Sequence, residues 1–283
     1  MKWGAWGSQL DAQSMLRLIE EGVELGITSY DHADIYGDYT TEAEFGAALR
    51  LQPGLRDKIQ LISKCGIRMV SKNRPEHWVK SYETSTEHIT TSVERSLRNL
   101  NTDYLDLLLI HRPSPLLNPD EVADTFRELK LQGKVRYFGV SNFTPAHYSL
   151  LQSRFPLVTN QVEASLLHLE PFFDGTLDQA TELRTKPMAW SPLGSGKVFT
   201  MPEDPQVQRI TAVAQQIAHT RGQDWALDQI LLAWLLQHPA GILPVLGTAK
   251  TERMKAAIAA AELNLTSQEW FALLEAARGH EVA

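Results

Sequence analysis

Along this chain, short apolar runs alternate with longer segments whose apolar residues recur every three or four positions. The short runs predict buried strands and the longer segments amphipathic helices. Strands are expected at residues 1–7, 27–30, 59–63, 105–110, 135–140, 157–161, 187–190 and 242–246. The first helix begins at Asp11 and turns Met15, Leu16, Ile19 and Val23 to one side; Gly26 ends it. A helix is expected over about 41–51, and another carries Ile89, Val93, Leu97 and Leu100 on one face behind the capping box Thr84-x-x-Glu87. Asn118-Pro119 and Thr144-Pro145 read as helix starts, each a cap followed by a first-turn proline. Further helices are expected near 174–183, from Pro205, over about 224–237, around Lys250, Arg253 and Met254, and behind Thr266-x-x-Glu269. The segment 66–82 is polar, without a clear period, and reads as a loop facing the substrate; 193–201 is a glycine-rich loop.

Eight strands, each followed by helix, with no linker-like composition between halves, predict an α/β fold. The closed parallel (β/α)8 TIM barrel is preferred over an open doubly wound sheet. The 283 residues suit one such domain over 1–283, since these barrels take about 250 residues. With 43% hydrophobic residues the chain can bury a full core. A net charge of −7 argues against nucleic acid or an anionic membrane as the main partner. The single cysteine, Cys65, leaves no internal disulfide framework and suits a reducing compartment. Neither a spanning run nor a signal-peptide pattern is legible, and a cytoplasmic location is expected. His32, His77, His88, His147 and His168 lack metal-ligand spacing, so no metal is expected. Oligomeric state is not encoded in any pattern here.

In a barrel of this kind, chemistry sits where the strands end. Here those ends carry Ala5-Trp6, Asp31, Lys64, His111, Ser141-Asn142, Gln161, Trp190-Ser191 and Gly247-Thr248. Three successive strands finish in an ionisable residue, and Tyr36 stands five residues beyond the first of them. A buried acid such as Asp31 needs a cation, which Lys64 can supply. A lysine beside a phenol favours the phenolate, making Tyr36 a proton donor to a carbonyl, while His111 can donate a hydrogen bond to the same oxygen. Trp6, Tyr36 and His111 are the expected substrate contacts. A carbonyl that accepts a proton also needs a hydride, which no side chain supplies, so a nicotinamide or flavin cofactor is implied. Cys65, next to Lys64, should point the other way and is read as structural.

These residues resemble those of the aldo-keto reductases, over nearly the whole chain. The resemblance rests on Asp31-x-Ala33-x-x-Tyr36-Gly37, Lys64, Ile110-His111-Arg112-Pro113, Gly139-Val140-Ser141-Asn142-Phe143, Asn160-Gln161, Trp190-Ser191-Pro192-Leu193, and Gly247-Thr248 with Arg253. It implies an NADPH-dependent reductase of aldehydes or ketones, with Tyr36 as general acid, Lys64 and Asp31 tuning it, and His111 orienting the carbonyl. It further implies Ser141, Asn142 and Gln161 on the nicotinamide carboxamide, Trp190 on its ring, and Ser191, Leu193, Gly194 and Ser195 along the pyrophosphate. Gly247, Thr248, Lys250 and Arg253 would surround the adenosine phosphate, with Arg253 matched to a 2′-phosphate; NADH use stays open. The partner is then a small-molecule carbonyl. Two departures stand out: most of the usual N-terminal hairpin is missing ahead of the first strand, and Ala256-Ala257 stand where many relatives carry an amide. The alternative, suggested by the related potassium-channel β subunits, is a cofactor-binding regulatory module on the same fold with little turnover.

Overall fold

The computed structural model describes residues 3–282. Its strands are β1 (Ser29–Asp31), β2 (Gln60–Cys65), β3 (Ile67–Arg68), β4 (Ser81–Tyr82), β5 (Leu105–Ile110), β6 (Val135–Ser141), β7 (Asn160–Glu163), β8 (Met188–Trp190) and β9 (Leu243–Pro244). Two compact units are recognisable: residues 1–160 with 247–251, and residues 161–246 with 252–283.

In the first unit, β1, β2, β5 and β6 pair in parallel in that order. Ladder-like bonds continue past the strand ends: His32 N–H donates to the Ile62 carbonyl, Asp34 N–H to that of Lys64 and His111 N–H to that of Cys65. The register therefore holds the tails of β1, β2 and β5 together before any side chain is considered. Helix Thr41–Leu51 packs on helix Thr86–Leu100. They come close at Gly46, where a Cβ would lie 1.9 Å from the Asn99 carbonyl oxygen. In the second unit β7, β8 and β9 pair in parallel. Its core holds Trp234, Leu235, Leu273 and Ile217, with Trp270 stacked on Trp234 at 4.8 Å. Each indole N–H donates to the other residue's carbonyl at 3.0 Å. Arg221 pairs with Glu269 at 2.8 and 2.5 Å, and Glu269 also closes the capping box on Thr266.

Several expectations need correction. No strand forms over the described part of 1–7; residues 3–8 make turns, and residues 1 and 2 lie outside the described residues. The short apolar run at the start resembles a strand, yet Gly7 and Gln9 donate back to the Gly4 carbonyl and Leu10 to that of Trp3. The Trp3 indole is buried and donates to the Thr248 carbonyl at 2.7 Å, so its burial reflects a contact made far along the chain. The expected cap at Thr84 is displaced by one: Ser85 is the N-cap, accepting from the His88 N–H. Lys250 lies just ahead of helix Thr251–Ala259 rather than on it. The aperiodic segment 66–82 contains an antiparallel hairpin, β3 with β4, too short to leave a period. Asp11, Asn118, Thr144 and Thr266 all cap as expected.

Candidate active site

The side chain at the end of β2 is the centre of the arrangement. Lys64 is fully buried, and its Nζ lies 2.7 Å from Asp31 Oδ2, 2.8 Å from the His32 carbonyl oxygen and 3.2 Å from Tyr36 Oη. An ammonium has three protons, and here it has three acceptors. Burial would push the Lys64 ammonium down; the Asp31 carboxylate and the Tyr36 hydroxyl outweigh it, and the group is held above the ordinary lysine value. The His32 carbonyl was not foreseen from the sequence, because a main-chain acceptor leaves no residue-type signal.

His111 follows β5 and is buried, its ring edge-on to that of Tyr36 with centroids 5.8 Å apart. Its Nδ1 is buried without a hydrogen-bond partner. Burial, then the Lys64 ammonium and the Arg112 guanidinium, hold its protonation well below the usual histidine range, so the imidazole is neutral. A neutral imidazole has one N–H to donate, as an oxygen-orienting group requires. Trp6 is half exposed, its ring 6.4 Å from that of Tyr36. The structure thus brings together Trp6, Asp31, Tyr36, Lys64 and His111, all in the first unit.

Beyond Tyr36 the backbone turns sharply: Gly37, Asp38 and Tyr39 all have positive φ, at 62°, 60° and 69°. Opposite Lys64 on the alternating strand, Ser63 donates to Glu42 Oε1 at 2.6 Å and Cys65 is buried. Burial pushes the Cys65 thiol well up, which agrees with its reading as structural.

The residues expected at a cofactor divide between the units. In the first, Ser141 ends β6 and is buried; Asn142 has a positive φ of 59°, and its amide donates to Ser141 Oγ at 2.8 Å and to the His111 carbonyl at 3.4 Å. Asn160, its side chain bonded both ways to the Phe143 backbone, braces that turn. A Cβ on Gly247 would meet nothing within 4 Å, and Thr248 Oγ1 accepts from the Lys250 N–H at 3.1 Å. In the second, Gln161 is buried in β7, and Trp190, partly buried, ends β8. Ser191 and Ser195 both have positive φ, and their hydroxyls lie 2.7 Å apart. Leu193 packs on the core, and a Cβ on Gly194 would lie 2.4 Å from Leu167, so that turn is built for a small residue. Arg253 is exposed near the start of its helix. Left-handed non-glycine residues at strand ends are a recurrent mark of ligand-facing turns. No group of ligands suited to a metal ion is found among the described residues.

The family model of the Aldo/keto reductase family matches residues 1–278. The chain belongs to the aldo/keto reductase family. It is 47% identical over 285 residues to the oxidoreductase YdhF of Escherichia coli, covering 99% of this chain and 93% of that protein. It is 44% identical over 287 residues to a 6-dehydroglucose reductase of Agrobacterium fabrum, covering 99% and 95%. Among solved structures, an aldo/keto reductase from Klebsiella pneumoniae in complex with NADP and acetate matches with a TM-score of 0.75 at 29% identity, covering 93% of this chain and 84% of that one. The α/β fold with parallel strands is that of these barrel enzymes, in agreement with the class expected from the alternation of strand and helix.

Proposed function

We propose that this protein is an NADPH-dependent reductase that converts an aldehyde or ketone to an alcohol, in which Tyr36 delivers the proton. The single observation that carries the reading is the Lys64 ammonium, fully buried and shared among Asp31, the His32 carbonyl and Tyr36 Oη. A buried cation 3.2 Å from a phenol oxygen stabilises the negative charge left there as the proton departs. Asp31 keeps Lys64 charged and aimed. Neutral His111 donates to the carbonyl oxygen and orients it toward Tyr36, and Trp6 offers an aromatic wall beside the Tyr36 ring.

Each unit carries backbone turns that suit the approach of a dinucleotide. The left-handed turns at Asn142, Ser191 and Ser195 and the open space over Gly247 suit close approach of a ligand to the backbone. Ser141, Asn142 and Gln161 would hold the nicotinamide carboxamide, Trp190 its ring, Ser191, Leu193, Gly194 and Ser195 the pyrophosphate, and Gly247, Thr248, Lys250 and Arg253 the adenosine phosphate. When bound, the reduced nicotinamide supplies the hydride. Relatives support the direction: one is named for reducing 6-dehydroglucose, and one solved structure holds NADP. A free buried thiol at Cys65 accords with a cytoplasmic setting.

The test follows loss of NADPH absorbance with para-nitrobenzaldehyde, in the natural chain and in Tyr36→Phe. The variant should bind NADPH normally, read by quenching of tryptophan fluorescence, and lose turnover by about a hundredfold or more. Full turnover in Tyr36→Phe would refute the acid assignment.

A further inference from the structure

The segment 66–82 is more than a loop over the site. Its hairpin of β3 and β4 extends β2 past Lys64, and Ile67 at its base joins Ala33 and Ile35 in a small buried cluster. Tyr36, Tyr39 and Met69 pack against that same cluster. The outer part of the segment is internally bonded: Arg74 N–H donates to the Ser71 carbonyl, His77 N–H to that of Arg74, and Asn73 N–H to Ser71 Oγ. It reaches the turn after Tyr36 at several points. Tyr39 Oη accepts from the Met69 N–H at 2.9 Å. The Arg74 guanidinium lies over the Tyr39 ring at 4.4 Å, and the His77 ring is 6.2 Å away. His77 Nδ1 also sits 3.1 Å from the Met69 carbonyl oxygen, and the Asn73 amide donates to the Asp38 carbonyl at 2.8 Å.

The contacts made by Met69, Asn73, Arg74 and the His77 ring to this turn fall on Asp38 and Tyr39, two non-glycine residues in the left-handed region. That conformation is unfavourable for a side-chain-bearing residue and survives only where the surroundings dictate it. The turn they form with Gly37 begins one residue after Tyr36, so its geometry sets where the phenol lies relative to Lys64.

We propose that Tyr39 is a positioning residue: by docking the 69–77 segment it holds the left-handed turn Gly37-Asp38-Tyr39, and through that turn keeps Tyr36 Oη within hydrogen-bond distance of Lys64. This rests on the reading of Tyr36 as the proton donor. Tyr39 bonds to Met69 and packs beside Arg74 and His77, and it acts on Tyr36 through the backbone.

The experiment uses the full chain, with NADPH and para-nitrobenzaldehyde as probes. Tyr39→Phe keeps the ring under Arg74 and deletes only the hydroxyl. The amide of Met69, which loses its acceptor, should exchange faster with deuterated solvent. NADPH affinity and the aldehyde KM should stay within about twofold while kcat falls on the order of ten- to a hundredfold, the penalty of a small misplacement of a reacting group. Asn73→Ala, at the exposed edge of the same contact, should lower kcat in the same direction but less. An unchanged kcat in Tyr39→Phe, with Met69 exchange accelerated, would overturn the inference. Should Tyr39→Phe fail to bind NADPH, Asn73→Ala decides: a lower kcat at constant KM supports the positioning role and an unchanged kcat removes it. Tyr36→Phe is run alongside; if that variant turns over normally, the assignment of the acid has failed, and the positioning role with it.

Discussion

Lys64 has to be charged to serve its neighbours, yet it is fully buried, so its surroundings must restore what water would have given. Three acceptors within 3.2 Å do so, one of them the Asp31 carboxylate. Breaking such a pair from one side costs more than removing both partners, because an uncompensated charge is left behind. Lys64→Met should therefore lower stability by about 3 kcal/mol, whereas Lys64→Met combined with Asp31→Asn should recover much of that loss. Urea unfolding of the two variants checks the prediction, and neither should reduce a carbonyl. Equal destabilisation of single and double variants would mean that the pair is not coupled as its geometry indicates. That Asp31, Lys64 and His111 stand at or beside the ends of β1, β2 and β5, with Tyr36 close by, was legible in the sequence, because strand ends can be located. Tyr39 was not: its partners stand some thirty residues on, in a segment without periodicity.

Among the elements, the crossing of helices Thr41–Leu51 and Thr86–Leu100 sets the frame behind β2. Gly46 permits it. Glycine inside a helix ordinarily costs roughly 0.5–1 kcal/mol relative to alanine, so Gly46→Ala would stabilise an isolated helix. Here the added Cβ would lie 1.9 Å from a backbone carbonyl oxygen, which cannot swing aside like a flexible side chain. The steric effect should win, lowering stability by about 1–3 kcal/mol. Thermal unfolding of the variant reads the sign directly, and a rise in Tm would show that the helices can separate without loss. Four helix starts were well read because caps are local: Asp11, Asn118, Thr144 and Thr266 accept from N–H groups two or three residues on. The hairpin β3–β4 escaped notice because each of its strands is only two residues long.

For the molecule as a whole, pH dependence is set less by the net charge of −7 than by a few buried groups. Burial, and then the neighbouring Glu42, push the Asp34 carboxyl well above its usual range. The folded chain therefore keeps a proton that the unfolded chain releases near pH 4, and this contribution declines as pH rises. His32 and His111 work the other way: burial holds both well below the usual range. Their contribution is full above about pH 6.5 and is lost as pH falls below it, because the unfolded chain then takes up protons the fold refuses. Asp34→Asn removes the first effect alone. The stability difference between variant and natural protein should grow with pH, by up to about 1.4 kcal/mol per unit above pH 4. Urea titrations at several pH values measure it; a constant difference would mean that Asp34 is ionised in the fold.

By itself the sequence determined the α/β class, most strand and helix positions, which ionisable residues stand at the strand ends, and the family. Each of these depends on residue type and local spacing, since periodicity, capping and strand alternation are short-range. Tertiary structure alone decided that residues 3–8 turn instead of extending, that the Trp3 indole meets the Thr248 carbonyl, that the His32 carbonyl completes the Lys64 shell, and that segment 69–77 clasps the turn after Tyr36. These are contacts between main-chain groups or between residues far apart in the chain. Every non-proline residue carries the same backbone donor and acceptor, so which of them meet is settled only when the chain has packed.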